Sequence, residues 1–241
     1  MENLCTGNSK MKAKWKGIFF DAGNTLLSVY PSVGSIYADA ARRSGLTVTE
    51  EEIERSFKQI WTQTTPLVSN EGHRLTYEKE RDWWRYLVRE VFRDHIDKMD
   101  FDQFFEHLYR HFAEADCWRL YDDVTGVLAQ LRQLGFRLAI VSNWDSRLPV
   151  LCDQLGISSY FETVVVSSIV GYEKPHPNIF KFALDQTGLS PEDVLYIGDD
   201  PFLDYQAARK VGIHSLHLDR HNRFPDHPDR IVSLIELLDH I

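Results

Sequence analysis

Hydrophobic residues along this chain follow two rhythms. The run KGIFF (16–20) is short, apolar and stops at a polar turn, DAGNT, so it predicts a buried strand. From about 33 to 115 the period turns helical, with dense charge and large aromatics. TEEEIERSFKQIWTQT opens with Thr49 at the N-cap and Glu52 three residues on, the signature of a capping box. TYEKERDWWRYLVREVF and FDQFFEHLYRHFAEA repeat apolar residues at helical spacing, and no strand is predicted in this stretch.

Beyond 120 strands and helices alternate. DVTGVLAQLRQLG reads as a helix closed by Gly135, FRLAIVSN as a strand, RLPVLCDQLG as a helix and FETVVVSS as a strand. PNIFKFALDQTG (helix), DVLYIGDD (strand), YQAARKVG (helix), IHSLHL (strand) and a final helix DRIVSLIELLDHI follow. Strands rich in β-branched residues and separated by helices imply a parallel sheet covered on both faces. The predicted fold is α/β: a Rossmann-like parallel sheet core interrupted by an inserted helical cap. The divisions are a loose tail at 1–15, a core at 16–28 and 118–241, and a cap at 29–117.

Composition narrows the partners. The chain has 241 residues, 43% of them hydrophobic, enough to bury a large core. A net charge of −9 argues against general affinity for nucleic acid or an anionic membrane, so any anionic substrate must meet local positive groups. Cys5, Cys117 and Cys152 are widely spaced, form no Cys-x-x-Cys pair, and fit a reducing compartment. The first residues lack the apolar stretch of a secretory signal, and no run is long enough to span a membrane; a cytoplasmic protein is expected.

The chemistry collects at strand ends, where ligands bind in such sheets. Asp21, the pair Ser142-Asn143 and the pair Asp199-Asp200 each follow a strand, and Lys174 lies in the loop GYEKPHP after another. Several carboxylates gathered at one sheet edge repel each other and need a cation. One lysine does not neutralise them, whereas a divalent ion does.

These segments resemble the motifs of the haloacid dehalogenase-like hydrolase superfamily, in the branch with a helical cap after the first motif. FFDAGNTLL is similar to motif one, AIVSN to motif two, GYEKPHPNIF to motif three and YIGDDPFLD to motif four, in that order, over about residues 16–218. The SNWDSRL stretch and the altered first motif resemble a little-characterised branch of rhythmically expressed and domain-containing orphan proteins. The resemblance implies that Asp21 is a nucleophile forming an aspartyl-phosphate that water hydrolyses. It implies Mg²⁺ held by Asp21, the Gly23 carbonyl and Asp199, with Asp200 or Asp204 in support, oxygen ligands being what this ion prefers. Ser142, Asn143 and Lys174 would then bind the phosphoryl group of a small phosphorylated substrate.

One departure matters. The family's phosphatases carry Asp-x-Asp in motif one, and the second Asp protonates the leaving oxygen, an effect of roughly 10²–10⁴-fold. Here Gly23 has no side chain and Asn24 carries no proton to shuttle. A phosphatase that tolerates the loss is the leading expectation, with Asp145 weighed as either a substitute acid or a structural cap. The alternatives are a catalytically impaired phosphate-binding or regulatory protein and a 2-haloacid dehalogenase, though the latter branch lacks the motif-four carboxylates. A phosphonatase is the last, but it needs a cap lysine in a motif that Lys58 and Lys79 do not match. Of the remaining features, the cap aromatics Trp61, Trp83, Trp84, Tyr86 and Phe92 are read as the cap's own core, with at most one of the adjacent Trp83 and Trp84 meeting substrate. The histidines of HSLHLDRHNRFPDH are read as a solvated loop, and Gly198 as a place where backbone approaches the ion.

Overall fold

The computed structural model describes residues 14–241. The expected N-terminal tail, with Cys5, therefore lies almost wholly outside the described residues.

Eight strands and nine α-helices are described. β1 (Gly17–Phe20), β4 (Arg137–Ser142), β5 (Thr163–Val166), β6 (Val194–Gly198), β7 (His214–Leu218) and β8 (Arg230–Ile231) form one sheet in the order β5-β4-β1-β6-β7-β8, every neighbour parallel. The expected parallel sheet is present. Alternation along each strand sends side chains to opposite faces. Ile18, Phe20, Leu138, Ile140, Leu195 and Ile197 pack in one core cluster, while Phe19, Ala139, Val141, Val194 and Tyr196 pack in another. A sheet buried on both sides is why these strands read as unbroken apolar runs rather than as a two-residue alternation.

The cap leaves and rejoins the core through a short antiparallel ribbon. β2 (Leu27–Val29) pairs with β3 (Trp118–Leu120), Leu27 opposite Leu120 and Val29 opposite Trp118. Between them lie α1 (Val33–Arg43), α2 (Glu50–Gln63), α3 (Tyr77–Val91) and α4 (Phe101–His111), which gather Tyr37, Leu87, Phe92, Phe105 and Leu108 into a third core. The Thr49–Glu52 capping box forms at the start of α2 as its sequence predicts. The remaining helices, α5 (Val124–Gln133), α6 (Leu148–Gln154), α7 (Ser167–Val170), α8 (Pro177–Thr187) and α9 (Ala207–Lys210), cover the sheet. No helix of the described residues is long and apolar enough to cross a membrane.

Two expectations fail near the C-terminus. The final helix is instead the two-residue strand β8 and a 3₁₀ turn at Glu236–His240, although Ile231, Leu234 and Leu237 are buried. The Leu234 N–H donates to Asp123 Oδ2 at 2.8 Å, a bond that draws this backbone into the core. The histidine-rich segment is solvated only in part: residues 221–226 are exposed, but His217 is fully buried in β7 and its Nε2 lies 3.0 Å from the Asp199 carbonyl oxygen.

Candidate active site

β1 is flanked by β4 on one side and β6 on the other, so the chain's excursions diverge at its C-terminal end and open a crevice there. Asp21 follows β1 directly, Ser142 closes β4 and Asp199 follows β6. Three segments far apart in sequence thus deliver polar groups to one place.

Asp21 is buried, and its Oδ1 accepts from Ser142 Oγ at 3.0 Å and from Lys174 Nζ at 2.6 Å. The same ammonium donates to Asp204 Oδ1 at 2.6 Å and meets the Tyr196 hydroxyl at 3.2 Å. Burial alone would push the Lys174 pKa down, but the charges of Asp204 and Asp21 outweigh it and hold the group protonated. Asn143 fixes the lysine's backbone from both sides, its Nδ2 donating to the Lys174 carbonyl and its Oδ1 accepting from the Lys174 N–H. The structure gives Asn143 this bracing contact, which orients the lysine.

Carboxylate oxygens of Asp21, Asp199 and Asp204 lie within 4.8 Å of one another. Burial, followed by repulsion from Asp21 and Asp204, raises the Asp199 pKa. Asp204 is likewise raised by burial and by Asp21, against the pull of Lys174. Three close carboxylates therefore carry more negative charge than one ammonium offsets, and the set of hard oxygen donors fits a small divalent cation. Gly23 lines the same cavity.

Two expected supporting residues line the cavity but have carboxylates bonded to neighbouring donors. Asp200 Oδ1 accepts from the Phe202 and Leu203 N–H groups, both at 2.8 Å, and caps the turn Pro201–Gln206, so Asp204 supplies the third carboxylate of the cluster. Asp145 is no free acid. Its carboxylate accepts from Trp84 Nε1 at 2.7 Å, from the Arg147 N–H at 3.0 Å and from two nitrogens of the Arg147 guanidinium, which leaves it a packing role between cap and core. At Gly198 the structure shows a close approach that requires glycine: a Cβ there would overlap the Asp204 carboxylate.

Sequence reasoning missed several neighbours of the site. The Tyr196 hydroxyl donates to the Val141 carbonyl oxygen or to Asp204 Oδ1, and its place inside a hydrophobic strand hid it. Arg223 reaches Asp199 Oδ2 at 3.5 Å from the segment read as solvated. Trp144, two residues past Ser142, brings Cζ3 to 3.3 Å from where a Cβ on Gly23 would stand. Glu173, beside Lys174, is half-buried in the cavity wall.

The cap roofs a cavity of about 810 Å³ over this cluster. Phe57, Trp61, Trp83, Trp84, Tyr109 and Phe112 line it from the cap, so both adjacent tryptophans reach the wall. The seam between cap and core is bonded at several points: Ser146 N–H donates to the buried Glu80 carboxylate, Arg147 donates to the Tyr109 carbonyl, and Glu173 N–H donates to Asn70 Oδ1.

A haloacid dehalogenase-like hydrolase family model matches residues 15–212. Haloacid dehalogenase-like hydrolase domain-containing protein 3 of Homo sapiens is 34% identical over 81% of this chain and 78% of its own length. Rhythmically expressed gene 2 protein of Drosophila melanogaster is 30% identical over 84% and 82%. Glyceraldehyde 3-phosphate phosphatase of Methanopyrus kandleri is 29% identical over 85% and 84%. Among solved structures, L-2-haloacid dehalogenase of Xanthobacter autotrophicus superposes with a TM-score of 0.71 at 20% identity, over 92% of this chain and 96% of that one, a likeness of fold.

Proposed function

The chain belongs to the haloacid dehalogenase-like hydrolase family, and on that premise we propose that it is a Mg²⁺-dependent phosphatase acting on a small phosphorylated metabolite through an aspartyl-phosphate on Asp21. The observation that carries this reading is the carboxylate cluster of Asp21, Asp199 and Asp204 around a buried lysine. A halide leaves as an anion without such a cluster, whereas a phosphoryl dianion needs cations to enter one. The similarity to a glyceraldehyde 3-phosphate phosphatase points the same way.

Asp21, the Gly23 carbonyl and Asp199 would hold the ion, with Asp204 in support. Bound there, Mg²⁺ would supply positive charge for the phosphoryl oxygens. The chain's own residues do the rest. Ser142 and Lys174 both donate to Oδ1 of Asp21, which fixes the carboxylate's orientation and leaves Oδ2 without a protein donor among the described residues. Asn143 and Tyr196 hold the lysine in place. Ser142 and Lys174 also stand where they can donate to the transferring group.

A second reading, a phosphate-binding protein with little turnover, draws on one observation. The position of the family's acid, Gly23, has no side chain, and the carboxylate of Asp145, the substitute weighed from the sequence, is engaged by Trp84 and Arg147. Phosphate release from a panel of phosphorylated metabolites, with and without Mg²⁺ and beside chloride release from 2-haloacids, decides. The phosphatase reading expects Mg²⁺-dependent phosphate release that disappears in Asp21→Asn, since an amide is no nucleophile. Metal-independent chloride release, or an Asp21→Asn variant as fast as the parent, would overturn it. Phosphate binding without turnover selects the second reading.

A further inference from the structure

We propose that the substrate is the phosphate monoester of a planar, phenol-like alcohol, small enough to lie whole beneath the cap. This rests on the phosphatase reading of the same site and adds the class of leaving group.

Two observations carry it. The first is the surface that the leaving group meets. The cavity volume of about 810 Å³ is that of a small-molecule site. Its cap wall is dominated by aromatic rings, with the smaller Thr62, Thr64 and Thr65 among them. Trp61 is 49% exposed, stacks on Phe57 at 5.7 Å and meets Trp83 and Trp84 at 5.9 and 6.0 Å. On the core side Trp144 packs against Trp118 at 4.9 Å. The cations of this wall are already paired: Lys58 with Glu54 at 3.0 Å, and Arg147 with Asp145 at 2.6 Å. Polyols want many hydrogen-bonding partners and a second anionic group wants a free cation, but a flat ring wants faces to stack on.

The second observation is what stands at position 23. The family's acid is replaced by glycine, and the nearest group to its missing side chain is the Trp144 indole, 3.3 Å from the absent Cβ. An indole supplies no proton to a leaving oxygen. Glu173 lies in the cavity wall as well, but its carboxyl is drawn to the cap loop, one oxygen accepting the Val68 N–H at 3.4 Å, and no hydrogen bond among the described residues joins it to Asp21, Ser142 or Lys174. A leaving group that departs here unprotonated must be a weak base. A phenol ionises near pH 10, as tyrosine does, whereas an aliphatic hydroxyl is closer to water at about 15.7. The step balances without an acid. Asp21 attacks phosphorus, the ester P–O bond breaks, and the phenolate leaves with its electron pair and takes a proton from solvent. Water then attacks the acyl phosphate at phosphorus, restoring the Asp21 carboxylate and releasing orthophosphate.

The test pairs hydrolysis with binding, both in Mg²⁺. Hydrolysis compares 1-naphthyl phosphate, glycerol phosphate and a phosphotyrosyl peptide. Binding of the inert 1-naphthylmethylphosphonate is followed by calorimetry in the parent and in Trp61→Ala. The expected result is kcat/KM at least about 100-fold higher for the naphthyl ester than for glycerol phosphate, within the range that acid catalysis otherwise supplies. Binding of the phosphonate should weaken about tenfold in Trp61→Ala, the scale of one lost aromatic contact. Glycerol phosphate cleaved as fast as the naphthyl ester overturns the inference and leaves the phosphatase reading standing. Trp61-dependent binding with no ester cleaved does the reverse: the ligand class holds and the phosphatase reading falls. A peptide preferred over the free aryl ester overturns the small-substrate claim. No binding of the phosphonate overturns the whole proposal.

Discussion

A side chain at position 23 would have to share space with the Trp144 ring. Gly23 is not among the described glycines with positive φ, so an L-residue meets no backbone strain there, and the indole need yield only a few tenths of an ångström. Gly23→Asp is therefore expected to fold and to restore an acid. Hydrolysis of glycerol phosphate should rise about tenfold or more, a modest share of the usual acid–base effect. Rates of parent and variant measured side by side in Mg²⁺, with circular dichroism for folding, check this; a folded variant no faster than the parent refutes it. At this scale the sequence showed which residue types collect at the strand ends, because Asp21, Ser142, Lys174 and Asp199 sit in short motifs. It did not show which way they face. Asp200 and Asp204 are both carboxylates of one motif, and only backbone geometry turns Asp200 onto the N–H groups of Phe202 and Leu203 while Asp204 turns inward. Likewise the meeting of Gly23 with Trp144 joins distant segments, and no local pattern announces it.

The loop between α7 and α8 carries more than its lysine. Burial raises the Glu173 carboxyl to about 7, with the Val68 N–H only partly opposing. Its ordinary value is near 4.3, so the folded state holds this proton more tightly than the unfolded chain. The stability linked to it is full below about pH 4 and is lost as pH rises through 7. The same ionisation places a carboxylate in the cavity wall, where it repels a phosphate dianion. KM should rise as pH climbs through about 7, and Glu173→Gln should flatten that limb; a pH profile of kcat and KM for both proteins reads it, and an unchanged limb in the variant refutes it. Elements with a long, clear period were legible: every predicted core strand and the cap helices are present. Those that failed were short or held by distant partners. β2 and β3 have three residues each, too few for a rhythm. The last segment has leucines at helical spacing, yet β8 pairs with β7 and the Leu234 N–H answers to Asp123.

For the molecule as a whole, the proposed ion at the crowded carboxylates would add to stability. A ligand that binds only the folded state at a hundredfold its Kd adds about 2.7 kcal/mol, roughly 5–10 °C in Tm for a chain of this size. Mg²⁺ should raise Tm by that order in the parent and by little in Asp199→Asn; equal shifts in a thermal melt of both would remove Asp199 from the ion's ligands. The ribbon of β2 and β3 has another kind of consequence. Phe20 must find Ile140 across the whole cap sequence before the sheet exists. Once Leu27 lies beside Leu120, the cap counts for the nascent core as a short turn. A loop effectively some fourfold shorter saves roughly 1 kcal/mol of closure entropy. The clasp at the neck thus lets the helical cap lengthen, shorten or be exchanged over evolutionary time at little cost to the speed with which the α/β core assembles.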